Sequence, residues 1–384
     1  MAGIKRIALF LDGTWNTLGD NTNVWRLKSL CENSSEQICY YSPGVGTKAG
    51  ERISGGAWGL GIDDEIANAY EWLVEHYESD AKIFIFGFSR GAFTARSLAG
   101  FISVCGLLKC GSPVSLSEMY AHYRQRKGSR SIRELVKVPE SELNLEERQI
   151  KKYSQPVPIW FQGVWDTVGA LGVPIPYFPK VSKRDFAFLE TDLRINDARA
   201  YHALAIDEHR KTFAPTLWEE VFKKQGDSYP PRLIDQVEQR WFVGAHSNVG
   251  GGYTNDLLAQ IPLMWLMNKA AIHGLQFKEP VELDGDASKS PIRDSFGEML
   301  HGIYRAMRFG IPYFRPIGAR PIETANDITS FINETIDRSV FDRWRADSTY
   351  RPKNLSDWSS AHRVDPASIQ ASVRADDPSV SLPD

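Results

Sequence analysis

Gly87-Phe88-Ser89-Arg90-Gly91 has the form G-x-S-x-G, the pattern of a nucleophile carried on a tight strand-to-helix turn. The bare pattern arises by chance in roughly one chain in eight of this length, at ordinary glycine and serine frequencies. Its flanks make it more specific. Ile83 to Phe86 is continuously apolar, as a central strand should be, and Gly91 to Val104 is small or apolar almost all round, as a buried helix should be. Glycines two residues either side of Ser89 let that strand and helix pass closely. A serine so placed is exposed at the sheet top, beside a helix N-terminus that favours negative charge.

A serine hydroxyl needs a base. Of eight histidines, His246 stands apart, because the apolar run Trp241 to Ala245 leads into it and Gly250-Gly251-Gly252 follow. An imidazole on a strand-end loop with permissive backbone can approach another segment. The third group should orient that imidazole, and Asp166 in GVWDTVG ends an apolar run between Ser89 and His246 in sequence. The order Ser, Asp, His is that of α/β-hydrolases. The backbone N–H of Arg90 is the first candidate for an oxyanion hole, and Gly13, in the Asp12-Gly13-Thr14 turn, is the second. Asp12 and Asn248 are candidate supporting residues. His202 and His209 flank Asp207-Glu208, but their spacing matches no strong metal motif. No metal or cofactor is expected.

These residues need a scaffold that brings strand ends together. Lys5 to Leu11, Gln37 to Tyr41, Ile83 to Phe86, Val157 to Trp165 and Gln239 to Ala245 read as strands. Asp63 to Ser79, Gly91 to Val104, Asp192 to Ile206, Leu257 to His273 and Ile328 to Trp344 read as helices. Strands alternating with helices predict an α/β fold with a mostly parallel central sheet, helices on both faces, and sites at the carboxyl ends of strands. The expected organisation is one domain over residues 1–362. It carries an insertion at about 106–155, cap elements at about 170–235 and 280–325, and a polar, disordered tail at 363–384. Glycine-rich Gly44 to Gly61 and Pro-rich Ala170 to Pro179 are expected loops.

Composition narrows the class. The 384 residues carry 45 basic and 48 acidic side chains, for a net charge of −3, which gives no electrostatic reason to expect nucleic acid. The four cysteines form no CxxC pair and suit free thiols in a reducing compartment. The apolar run Ile7 to Leu11 is too short for a signal peptide and Asp12 ends it. No stretch is long enough for a membrane-spanning helix. The expected location is the cytoplasm, or outside it by export without a cleaved signal peptide.

LDGTWN (Leu11–Asn16), GFSRGAFTAR (Gly87–Arg96), GVWDTVGALG (Gly163–Gly172) and HSNVGGGY (His246–Tyr253) together resemble the DUF2235 family. That family includes the catalytic domain of type VI secretion phospholipase effectors. HALAIDEHR (His202–Arg210) and SVFDRW (Ser339–Trp344) add to the resemblance, which spans roughly residues 5 to 355. It implies an α/β-hydrolase fold and a Ser89-Asp166-His246 triad acting on phospholipid esters. Asn248 stands where the resemblance leads one to expect Asp.

The expected function is therefore serine ester hydrolysis through an acyl-enzyme, with a lipid or phospholipid as substrate. The apolar stretches Ala170–Phe178 and Phe309–Ile317 are candidates for an acyl pocket, a peripheral membrane contact, or buried packing loops. Two alternatives stand beside it. One is an inert hydrolase-fold binding module. The other is a metal-dependent phosphohydrolase using Asp12, against which Phe10 occupies the place of a second acid.

Overall fold

The computed structural model describes residues 5–13, 21–44, 64–125, 130–168, 199–224, 231–254, 256–283, 285, 287, 290–298 and 302–383. The expected loops Gly44 to Gly61, apart from Gly44, and Ala170 to Pro179 lie outside them.

Fourteen strands are described. They are β1 (Arg6–Leu11), β2 (Gln37–Ser42), β3 (Lys82–Phe88), β4 (Leu107–Leu108), β5 (Ser154–Gln155), β6 (Ile159–Trp165), β7 (Arg199–Ala205), β8 (Glu219–Lys223), β9 (Val237–Phe242), β10 (Ile322–Glu323), β11 (Asp327–Phe331), β12 (Glu334–Ile336), β13 (Ser372–Arg374) and β14 (Ser381–Leu382). The helices are α1 (Asn23–Leu30), α2 (Asp64–His76), α3 (Arg90–Cys105), α4 (Leu116–Gln125), α5 (Ile132–Leu135), α6 (Leu145–Tyr153), α7 (His246–Gly250), α8 (Gln260–Ile272), α9 (Ser295–Glu298), α10 (Ile303–Met307), α11 (Arg338–Ala346) and α12 (Lys353–His362).

Nine strands form the main sheet in the order β14-β13-β12-β9-β7-β6-β3-β1-β2. From β2 to β12 every neighbour is parallel, and β13 and β14 add antiparallel at one edge. The chain is thus of the α/β class, with a mostly parallel central sheet. Period-two alternation gives the central strands two buried faces. Ile7, Leu9 and Leu11 of β1 face α2 and α3, whereas Ala8 and Phe10 pack with Phe84, Phe86 and α8. The later strands bury Leu204, Trp241 and Ile336 against α11 and α12.

The segment expected as an insertion at 106–155 forms α4 to α6. Met119, Tyr123, Ile132, Leu135 and Ile150 pack into the cluster under α2 and α3. β8 and β10, each in a stretch expected as a cap, both pair with β11, just beyond the second stretch, in a small antiparallel sheet.

Three expectations are corrected. Arg199–Ala205 is not helical but a strand at the middle of the sheet, buried from Ala200 onward. A run of small and apolar residues suits both states, and pairing on both sides decided it. Residues 192–198 of that expected helix lie outside the described residues. Ile328 to Trp344 is not one helix: β11 and β12 precede α11. Asn333, at a left-handed φ of 41°, sits between the two strands. The tail is ordered where described. β13 pairs with β12, Val373 and Ala375 join the core, and the Trp358 indole N–H donates to the Ala375 carbonyl at 2.8 Å. Two short strands among polar residues give little periodicity from which to read them.

Candidate active site

Ser89 caps α3 directly after β3, with φ 59° and ψ −117°. Such a left-handed conformation is unusual for a residue with a side chain and costs about 1–3 kcal/mol where the surroundings enforce it. The glycines show what enforces it. A Cβ on Gly87 would lie 2.4 Å from the Gly91 carbonyl oxygen, and one on Gly91 would lie 2.1 Å from that of Leu11. Strand, helix and the end of β1 therefore meet backbone to backbone. The Ser89 N–H donates to the Trp165 carbonyl at 3.1 Å, tying the turn to the strand that delivers Asp166.

Asp166 follows β6 with φ 40° and is fully buried. Its Oδ2 accepts from His246 Nδ1 at 2.5 Å and from Arg315 Nη2 at 3.0 Å. Its Oδ1 accepts from Arg315 Nη1 at 2.6 Å and from the Ala205 N–H at 3.0 Å. Burial alone would raise this carboxyl's pKa, but the Arg315 guanidinium and His246 hold it well below the usual carboxylate range.

His246 opens α7 and is buried. Burial lowers its pKa below the ordinary imidazole value, with Asp166 opposing, so the neutral base is favoured. The Phe88 ring lies 4.6 Å from the imidazole and the Phe213 ring 5.0 Å, edge-on. A Cβ on Gly250 would lie 2.0 Å from the Phe88 ring, so glycine there lets α7 lie against the elbow. Among the described residues no hydrogen bond joins the Ser89 hydroxyl to His246. Phe88, next to Ser89, supplies the contact between the two segments.

The supporting candidates hold loops. Asn248 Oδ1 accepts from the N–H groups of Ala245 at 3.1 Å and Arg293 at 3.1 Å, and its Nδ2 donates to Asp256 at 3.0 Å. Asn248 thus bridges the N–H groups of two segments to the carboxylate of Asp256. Asp12 accepts from the Gly13 N–H at 2.8 Å, the Thr22 hydroxyl at 2.5 Å and the Tyr41 hydroxyl at 3.1 Å. Those three protein donors give Asp12 the work of fixing its own turn. The Gly13 amide expected in the oxyanion hole is therefore engaged by Asp12, while Arg90 is the first residue of α3, next to Ser89.

Two side chains were not found by reading the sequence. Arg315 is fully buried and, besides gripping Asp166, donates to the Ala205 and Phe213 carbonyls at 2.7 and 2.5 Å. Its only signal was one arginine inside the apolar stretch Phe309–Ile317, a place where a cation needs a carboxylate partner. Glu208 is the other. It accepts from the N–H of His246 at 3.2 Å, from Ser295 Oγ at 2.9 Å and from Arg210 Nε at 2.7 Å. Burial opposes its ionisation, but Arg210 holds its pKa down to about 2. A fixed carboxylate at the first N–H of α7 suits the positive end of that helix and sets where His246 begins. His202, by contrast, lies within the sheet, where its Nε2 accepts from the Thr167 N–H at 3.0 Å.

Residues 5–269 match the family described as the catalytic domain of Tle1-like phospholipase effectors of type VI secretion. An uncharacterized protein of Saccharomyces cerevisiae is 28% identical over 298 residues, covering 72% of this chain and 41% of the yeast protein. The solved structure of an uncharacterized Pseudomonas aeruginosa protein is similar at 18% identity and a TM-score of 0.41, covering 72% of this chain and 47% of that one. The structure of the Tle1 effector bound to the VgrG spike of the type VI secretion system is similar at 19% identity and a TM-score of 0.34, covering 66% and 52%. The chain thus spans about half or less of the length of these relatives. No helix among the described residues is long and apolar enough to cross a membrane.

Proposed function

The chain belongs to the family of Tle1-like phospholipase effector catalytic domains, and on that premise we propose that it hydrolyses carboxylic esters of lipids through Ser89, His246 and Asp166. His246 Nε2 takes the Ser89 proton as Oγ attacks the ester carbonyl carbon. The tetrahedral oxyanion collapses, the alcohol leaves with the proton from His246, and an acyl-serine remains. Water, deprotonated by the same imidazole, then releases the acid and restores the hydroxyl. Catalytic hydrogen bonds are often long or misaligned until substrate is bound, so His246 is expected to close on Ser89 in the complex.

The observation that carries this reading is the 2.5 Å bond from His246 Nδ1 to the Arg315-paired Asp166, with Ser89 in a strained elbow next to Phe88, whose ring packs on His246. The bond fixes the tautomer whose Nε2 can accept a proton. The Arg90 N–H supports the oxyanion. Gly13 contributes a second donor only by sharing or leaving its bond to Asp12. Phospholipid is the substrate class that family membership favours.

The test is covalent labelling by a fluorophosphonate, compared between the wild-type protein and Ser89→Ala. Labelling lost with Ser89, together with lost release of fatty acid from phospholipid, is expected. Undiminished ester turnover by Ser89→Ala would sink the proposal.

A further inference from the structure

Arg315 belongs to a segment with two opposite ends. At one end Tyr304 is buried edge-on against Phe296 and accepts from the Thr212 hydroxyl at 3.2 Å. At the other, Tyr313 exchanges hydrogen bonds with His209, and Arg315 is locked on Asp166. Between these anchors the chain turns outward. Met307 is 67% exposed, Phe309 90% and Ile311 64%. Arg305 and Arg308 are exposed beside them. From Gly302 to Arg320 the sequence holds four arginines and no acidic residue.

The way Phe309 is held is unusual. The Gly310 N–H donates to the Arg305 carbonyl at 2.9 Å and the Phe309 N–H to that of Ala306 at 3.0 Å. This is the helix-ending pattern whose left-handed residue is normally glycine. Here Phe309 occupies it, at φ 52°. An aromatic residue is thus held in a disfavoured backbone conformation with its ring in water, which is unfavourable on both counts.

We propose that Gly302–Arg315 docks this protein on an anionic bilayer surface. Met307, Phe309 and Ile311 enter the boundary between headgroups and acyl chains, and Arg305 and Arg308 meet headgroup phosphates. Apolar side chains interleaved with basic ones, in a stretch from Gly302 to Arg320 without an acidic residue, match such a surface. Ile311 is four residues from Arg315, at most about 14 Å of extended chain. Docking therefore brings the bilayer to the triad. The inference builds on the lipid-ester reading, but its test is read by binding, so each can fail alone.

The measurement is co-sedimentation of the full chain with phosphatidylcholine vesicles, with and without phosphatidylglycerol. The wild-type protein is expected to bind the anionic vesicles more tightly. Phe309→Ala should weaken that binding at least about tenfold. Arg305→Gln and Arg308→Gln should each weaken it about fivefold. All three should keep the wild-type melting temperature and turnover of a soluble short-chain ester. Equal binding by wild type and variants, or no preference for anionic vesicles, overturns the proposal. So does sedimentation velocity showing a dimer that Phe309→Ala dissociates, which would make the patch a contact with a second copy.

Discussion

Asp166 and Asp207 sit just past the ends of neighbouring parallel strands, β6 and β7, and both are out of solvent. Their carboxyls are driven in opposite directions. Asp166 faces a guanidinium and an imidazole, which overcome burial and keep it ionised. Asp207 accepts from the Gly244 N–H at 2.7 Å and the Tyr350 hydroxyl at 3.1 Å, both neutral donors. Burial there prevails and raises its pKa to about 6. The difference teaches that depth does not decide whether a buried acid is charged; a cation in van der Waals contact does. It also separates two tasks. Asp166 presents fixed negative charge to His246, whereas Asp207 ties down the loop that leads into it.

Removing the charge at the first acid is the severest way to test this contrast. Asp166→Asn keeps the shape but invites the wrong His246 tautomer, and kcat on a soluble ester is expected to fall about 10⁴-fold. A fall of less than tenfold would detach Asp166 from the chemistry. Next comes the cation. Arg315→Met leaves a buried carboxylate uncompensated and should lower stability by about 3–5 kcal/mol, read from urea unfolding at neutral pH. The sign follows from the depressed pKa. The contribution is present above the unfolded carboxyl value and is lost as pH falls through the folded one, so the deficit should shrink in acid. Arg315→Lys keeps the charge without the two-pronged grip and should fall between.

Asp207 gives a smaller effect of opposite sign. Its raised pKa means that ionisation opposes folding as pH rises through about 6. Asp207→Asn should therefore gain on wild type by about 1.5 kcal/mol between pH 5 and pH 8, measured by thermal or urea unfolding. A constant difference across that range would show that Asp207 never held its proton there, and a gain of about 4 kcal/mol would show that it keeps it throughout. The smallest effect is on the pH profile. Burial lowers the His246 pKa while Asp166 raises it. The acid limb of kcat/KM is expected below the ordinary imidazole value, and Asp166→Asn should move the residual activity's limb lower still.

The contrast also explains what could be read from sequence. Ser89, Asp166 and His246 each end an apolar run, and a strand end is a local feature visible in a dozen residues. The elbow glycines were visible for the same reason. Arg315 was not, because its partner is 149 residues away and nothing near it signals a carboxylate. Asp207 and Glu208 looked alike as adjacent acids, yet their separate neighbours, Tyr350 and Arg210, set them apart. Arg199–Ala205 read as helix because apolar periodicity is ambiguous over seven residues until neighbouring strands select one state. The late strands β12 to β14 are short, and the pairing of β12 with β9 at that side of the sheet has no local trace.

The distance between Asp166 and Arg315 along the chain is also a distance in time. A ribosome adding about 5–20 residues per second makes Arg315 roughly 7 to 30 seconds after Asp166. Until then the carboxylate has no guanidinium to accompany it into the interior, and the strand end that carries it has reason to stay hydrated. On the proposed mechanism a chain without Arg315 has no competent base, so activity is expected only once residue 315 has been made. A chain arrested before residue 315 should leave Ser89 unlabelled by fluorophosphonate, whereas the released full chain should label at once.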